Sequence, residues 1–131
     1  MPAYRSSAEA DIRNAVVAHI KERRPGARII HEINVSTYGP NRIDVIAVDQ
    51  AEIIAVEIKS AKDKLDRLEA QVKAMVGCAH HTVAALHEKF MVESVTNPSA
   101  AHYERAGEFY RRDMPQGIRS GPASVWVFPE M

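Results

Sequence analysis

The sequence predicts an α/β domain, a mixed sheet flanked by helices, and three observations carry that reading. Ile12, Val16 and Ile20 recur at helical spacing near the start of the chain. Three runs rich in β-branched residues follow, at 27–36, 42–49 and 53–60. The helical period then returns at Leu65, Leu68, Val72, Met75 and Val76, and a short strand pattern comes after it. The predicted order is α-β-β-β-α-β-α-β, which buries its apolar faces as helices laid over a sheet.

The first helix spans 6–24. Ser6 or Ser7 serves as N-cap, with Glu9 near the capping-box position. Arg23-Arg24 followed by Pro25-Gly26 closes it, placing positive charge at the C-terminal dipole end before two breakers. Residues 37–41 (TYGPN) read as a loop. RIDVIAVD and IIAVEIKS are joined by a short connection, so they form an antiparallel hairpin, and their near-continuous apolar character calls for cover on the sheet faces. The second helix is expected from Lys62 to Gly77, a fourth strand at 82–86, a further helix at 99–112 and a last strand at 124–128. Residues 90–101 carry no clear pattern.

At 131 residues the chain suits one domain. It is 46% apolar and 26% charged, which argues against disorder. A single cysteine, Cys78, excludes an internal disulfide framework and suits a reducing cytoplasm. No apolar run is long enough for a membrane span or a signal peptide. Seventeen basic residues against seventeen acidic ones argue against a polycation that coats nucleic acid by charge alone. The zero is a sum over unlike segments: residues 41–60 hold Asp44, Asp49, Glu52 and Glu57 against Arg42 and Lys59. The expectation is a soluble, cytoplasmic protein.

The chemistry sits on the hairpin. A turn centred between Gln50 and Ala51 pairs Val48 with Ile53, Ile46 with Ala55, Asp44 with Glu57 and Arg42 with Lys59. Opposite residues share a face with side chains roughly 5 Å apart, so two carboxylates and an ammonium converge. Like charges facing each other destabilise a hairpin, whereas a hard divalent cation between them reverses the sign. The plainer account is a solvated face with an ion pair. It requires exposed carboxylates, a distant Glu9 and no groove.

Two further features bear on the choice. Glu9 lies within the arc of Ile12, Val16 and Ile20, so it faces the core; it acts either as a capping carboxylate or at the edge of a metal site. Lys62, Lys64, Arg67 and Lys73 follow directly after Lys59; they are either phosphate contacts or an ordinary charged face interleaved with Asp63, Asp66 and Glu69.

Arg42-Ile43-Asp44 followed by Val56-Glu57-Ile58-Lys59-Ser60 resembles the PD-(D/E)XK nuclease superfamily. The continuation through Asp63, Leu65, Arg67-Leu68 and Gln71 is similar to its small stand-alone bacterial and phage members, with the core shared by Holliday-junction resolvases and MmcB-like DNA-repair proteins. The resemblance covers residues 9 to about 86 and departs from the motif at Ile43, which stands where the proline would be. It implies a restriction-endonuclease-like αβββαβ core, here with a C-terminal helix and strand added. It implies Asp44, Glu57 and the Ile58 carbonyl as ligands of Mg²⁺ (or Mn²⁺), Lys59 as the catalytic lysine, Glu9 as the first-helix carboxylate and Gln71 as a supporting polar group. Arg42, Lys62, Lys64 and Arg67 would contact DNA, duplex or branched, and the products would carry 5′-phosphate and 3′-hydroxyl ends. DNA repair, recombination or the processing of phage and mobile-element DNA is the implied setting. The alternative is a nuclease-fold protein that binds DNA or a partner without cutting, and a homodimer is open in either case.

Other motifs carry less. Cys78, His80, His81 and His87 lack the paired spacing of a zinc site and read as helix-end and strand-start residues. Ser60 and Lys59 are neighbours on a strand, so they point to opposite faces and make a poor nucleophile pair. Tyr103, Phe109, Tyr110 and Arg111-Arg112 either pack a helix into the core or meet bases and phosphates. Trp126 reads as core or interface.

Overall fold

The structure is a computed structural model and describes residues 7–34, 42–115 and 121–129. Ser6 and the loop 37–41 lie outside the described residues. The elements are α1 (Ser7–Arg23), β1 (Arg28–Asn34), β2 (Arg42–Val48), β3 (Ile53–Lys59), α2 (Leu68–Val76) and β4 (His81–His87). They are followed by β5 (Val92–Val95), β6 (Tyr103–Arg105), β7 (Glu108–Asp113) and β8 (Ser124–Phe128).

The main sheet has the order β1-β2-β3-β4-β8. β1, β2 and β3 form an antiparallel meander, while β3, β4 and β8 run parallel. The parallel step from β3 to β4 needs a crossover, and α2 supplies it. α1 covers one face: Ile12, Val16 and Ile20 pack on Val45, Ile54, Val56 and Ile58. α2 covers the other, where Leu68, Val72 and Met75 meet Ile46, Ala55, Ala84 and Leu86. Two covered faces explain why β2 and β3 read as continuous apolar runs rather than alternating ones. The α/β class, the mixed sheet and the αβββαβ order are as expected from the sequence.

Two elements differ. The helix expected from Lys62 begins only at Leu68. Ser60 N–H donates to Asp63 Oδ2 at 2.7 Å and Lys62 N–H to Ser60 Oγ at 3.3 Å, so side chains capture backbone donors that a helix would use. Leu65 is still buried, which is why the apolar stripe extends through this turn.

The helix expected at 99–112 is instead a hairpin of β6 and β7, which joins β5 in a separate sheet of order β5-β7-β6. Tyr103 pairs with Tyr110 and Arg105 with Glu108 across a two-residue turn. That turn is Ala106-Gly107, with φ of 53° and 83°, the doubly left-handed geometry that matches the twist of a tight hairpin. No described helix is long and apolar enough to cross a membrane.

Candidate active site

The hairpin register runs from Val48↔Ile53 to Val45↔Val56, as the symmetric turn requires. Its loop is 49–52, closed by a 2.9 Å bond from Asp49 N–H to the Glu52 carbonyl. One step beyond the last of these pairs stand Asp44 and Glu57. There Asp44 Oδ2 accepts the Ile58 N–H at 2.8 Å, so a carboxylate takes a donor that would otherwise face the neighbouring strand. Asp44 is 4% exposed, Glu57 1% and Lys59 6%. A solvated hairpin face would leave these groups in water; here they are removed from it.

Lys59 Nζ lies 3.6 Å from Glu57 Oε1. Ala55 belongs to the α2-side core, and strand alternation puts Glu57 and Lys59 on the same side. Removing an ion from water costs several kcal/mol even after relaxation, so partners must offset each of these groups.

Arg13, itself fully buried, offsets the neighbouring carboxylates of Glu9 and Glu32. Its Nε and Nη2 donate to Glu9 Oε1 at 2.9 and 2.6 Å, and Nη2 also donates to Glu32 Oε1 at 2.5 Å. Its Nη1 donates to the Asp44 carbonyl at 2.7 Å and to His31 Nδ1 at 2.9 Å. Five bonds use all five N–H donors of the guanidinium. Glu9 is therefore tied to the main chain of Asp44 through one side chain, and its inward carboxylate serves Arg13.

The strand carrying Glu32 is distorted at this point. Partners between β1 and β2 run from Arg28↔Val48 to His31↔Val45 and resume at Ile33↔Ile43, passing over Glu32 and Asp44. Glu32 has φ of 57°, a left-handed backbone that a non-glycine residue adopts at a cost of order 1–3 kcal/mol. The alternation of β2 also shifts here, since Ile43 joins the α2-side core and Val45 the α1-side core. The Asp44 carbonyl meets Arg13 where the ladder opens.

His31 completes the cluster. Burial, followed by the charge of Arg13, lowers its pKa from the ordinary histidine value. A neutral imidazole is what the bond requires, because Nδ1 must accept from the guanidinium.

The remaining sequence-derived candidates are more dispersed. Arg42 is exposed, with Nη1 3.8 Å from Glu32 Oε2. Lys62, Lys64 and Arg67 are exposed around the turn after β3, not along a helix face. Gln71 lies on α2, and its Oε1 is buried with no hydrogen-bond partner among the described residues. His80 Nδ1 accepts the Ile53 N–H at 2.9 Å and His81 Nε2 lies 3.1 Å from Glu52, so both secure strand ends. Clefts of about 240 and 190 Å³ are lined by His81 and Ser124 at the loop end of the hairpin, away from Asp44.

Arg13, His31 and Glu32 did not stand out in the sequence. A signal existed for Arg13: it is four residues after Glu9 and three before Val16, inside the same helical arc. For Glu32 and His31, within an ordinary strand pattern, there was none.

The family described as bacteriophage P4 protein cII matches residues 3–99, about three quarters of the chain. The chain belongs to this family. The match in this bacteriophage P4 cII family member takes in α1, the β1–β3 meander, α2 and β4, and with them every residue of the buried cluster. No curated protein and no solved structure matches significantly.

The carboxylates of this family member, Asp44 and Glu57, are both buried and stand on adjacent strands, and two such oxygen donors suit a hard cation. Among the described residues no group of three or more His, Cys, Asp or Glu is placed to hold a metal ion. Two carboxylates are nevertheless what a magnesium ion commonly takes from protein, the rest being water and phosphate.

Proposed function

We propose that this chain is a metal-dependent nuclease that hydrolyses phosphodiester bonds of DNA. The observation that carries the reading is the burial of Asp44, Glu57 and Lys59 together at one end of a hairpin otherwise built from Ile, Val and Ala. A fold that needed only stability would place apolar residues there.

Asp44 and Glu57 would hold Mg²⁺ or Mn²⁺, which when bound supplies positive charge for the phosphate oxygens and a more acidic water. Lys59, kept beside Glu57, holds and orients the attacking water by hydrogen bonding and offsets charge on the phosphate. Glu9 and Arg13 keep the Asp44 main chain in place, and Asp44 Oδ2 is fixed by the Ile58 amide. Attack on phosphorus breaks the P–O3′ bond, the 3′ oxygen takes a proton, and 5′-phosphate and 3′-hydroxyl ends result.

The test is cleavage of single-stranded, duplex and branched DNA in Mg²⁺ or Mn²⁺, comparing wild type with Glu57→Gln and Lys59→Met. Glu57→Gln should lose cleavage, and Lys59→Met should cut about 10²–10⁴-fold more slowly. Equal rates in all three proteins would overturn the assignment. A second reading, a nucleic-acid-binding protein that does not cut, is favoured by the ion pair that already engages Lys59. Its outcome would be calorimetric Mn²⁺ binding that depends on Glu57, with no cleavage of any substrate.

A further inference from the structure

We infer that the groove between β8 and the three-stranded sheet holds one unpaired nucleotide of the DNA strand that reaches Glu57 and Lys59. The inference rests on the nuclease reading for the path of the strand, but the groove itself can be tested without cleavage.

The groove has a volume of about 280 Å³ and is lined by Met91, His102, Tyr103, Arg112, Val125 and Val127. Its position relative to the buried cluster follows from the register. Glu57 is level with Ala84, and Ala84 with Val125; Lys59 is level with Leu86, and Leu86 with Val127. Level neighbours in parallel strands share a face, and Ala84, Leu86 and Val125 all lie on the α2 side. The groove floor therefore occupies the same two rows of the same face as the carboxylate and the lysine. It lies two strands across, roughly 10 Å at ordinary strand spacing, with the fully buried Ala84 and Leu86 between.

The chemistry of the walls selects the ligand. Arg112 Cζ is 4.8 Å from the centroid of the Tyr103 ring. Tyr103 stacks on Tyr110 at 5.7 Å and 20°, and Arg105 Cζ is 4.5 Å from the Tyr110 centroid. These four side chains form a guanidinium–ring–ring–guanidinium ladder across the β6–β7 hairpin. Glu93 anchors it, accepting from the Tyr103 hydroxyl and, at 2.7 Å, from Arg105 Nη2. His102 Nδ1 accepts the Arg112 N–H at 3.2 Å.

A valine and methionine floor suits the flat face of a base, and Arg112 with His102 suits a phosphate. A nucleotide offers both. The volume is at the lower edge of the roughly 300–1,000 Å³ range of ligand pockets, so it admits one unit and no base pair. A base must therefore leave its partner and its stack before it can enter. The charge balance agrees: the small sheet carries Arg105, Arg111 and Arg112 against Glu93, Glu104, Glu108 and Asp113. Such a surface holds DNA by packing of the base on the apolar floor and one local phosphate contact, so its salt dependence is shallow.

The experiment is fluorescence anisotropy in EDTA buffer with a labelled oligothymidylate and, separately, a blunt duplex. The single strand should bind at least tenfold more tightly than the duplex. Tyr103→Leu, which removes the ring that holds the Arg112 guanidinium, and Arg112→Gln should each weaken single-strand binding at least about fivefold. Arg111→Gln removes the same charge from the opposite face of β7 and should stay within twofold. Duplex binding equal to single-strand binding, an unchanged affinity in Tyr103→Leu with its circular dichroism intact, or an equal loss in Arg111→Gln and Arg112→Gln would each overturn the groove assignment. Failure of the nuclease reading looks different, as absence of cutting in Mg²⁺ and Mn²⁺ with the groove variants still binding-defective.

Discussion

The two ends of the β2–β3 hairpin carry comparable numbers of charged groups and treat them in opposite ways. At the loop end, Arg24 meets Glu52 at 2.5 Å and Asp49 at 3.5 Å, and His81 meets Glu52, with every partner about a third exposed or more. At the other end Glu9, Arg13, Glu57 and Lys59 are all nearly withdrawn from solvent. Surface pairs of the first kind contribute roughly 0–1 kcal/mol. Those of the second kind gain little over apolar residues while intact and cost about 3–5 kcal/mol when one partner is removed. The hairpin thus separates charge that only finishes a surface from charge that the fold has to accommodate.

The sharpest way to break this contrast is Arg13→Met. It leaves Glu9 and Glu32 facing each other without their shared donor, and stability should fall by about 3–5 kcal/mol in urea denaturation. Adding Glu9→Gln should recover part of the loss. An Arg13→Met protein as stable as wild type would mean that the cluster is better hydrated than its burial indicates.

A smaller effect is expected from His31. Its folded pKa lies below its unfolded value, so between the two the unfolded chain binds more protons. The contribution of neutral His31 is complete above about pH 6.5 and is lost as the pH falls through that value toward the lowered one. Thermal midpoints measured from pH 7.5 to 5 should decline in wild type. His31→Gln, which keeps an acceptor but does not titrate, should flatten that decline. The smallest change is Arg24→Ala, below about 1 kcal/mol and erased in 1 M salt. A larger or salt-resistant loss would place the loop end in the same class as the buried one.

Much of this contrast could be anticipated from the residues. The register that places Asp44 beside Glu57 needed only strand runs of the right length and a symmetric turn, because a period of two leaves few alternatives. What escaped were features where side chains overrule the local pattern. Arg13 sits in the apolar arc of α1, but arginine is so seldom fully buried that the position reads as a flank. The turn after β3 retains a helix-like stripe through Leu65, and only the Ser60–Asp63 bonds end it. In β6–β7, Tyr103, Phe109 and Tyr110 mimic helical spacing. The turn between the strands supplies only half its usual signal, since Ala106 takes the left-handed position where asparagine or aspartate is the usual choice. The position of Glu32 depends on contacts from α1 and β2, so no local signal could have reported it.

The pairing of β8 with β4 also carries an entropic cost that the β2–β3 hairpin does not. The β1–β3 meander closes through short loops, and α2 brings β4 alongside within one crossover. β8 must return from across the whole three-stranded sheet to find His81–His87. Contacts this distant in the chain carry more loop-closure entropy. Val125 and Val127 line the groove, so the groove cannot exist before that last strand arrives. The hairpin that carries Asp44 and Glu57 is assembled from neighbours. These two regions of one sheet face thus differ in the loop-closure entropy that their assembly requires.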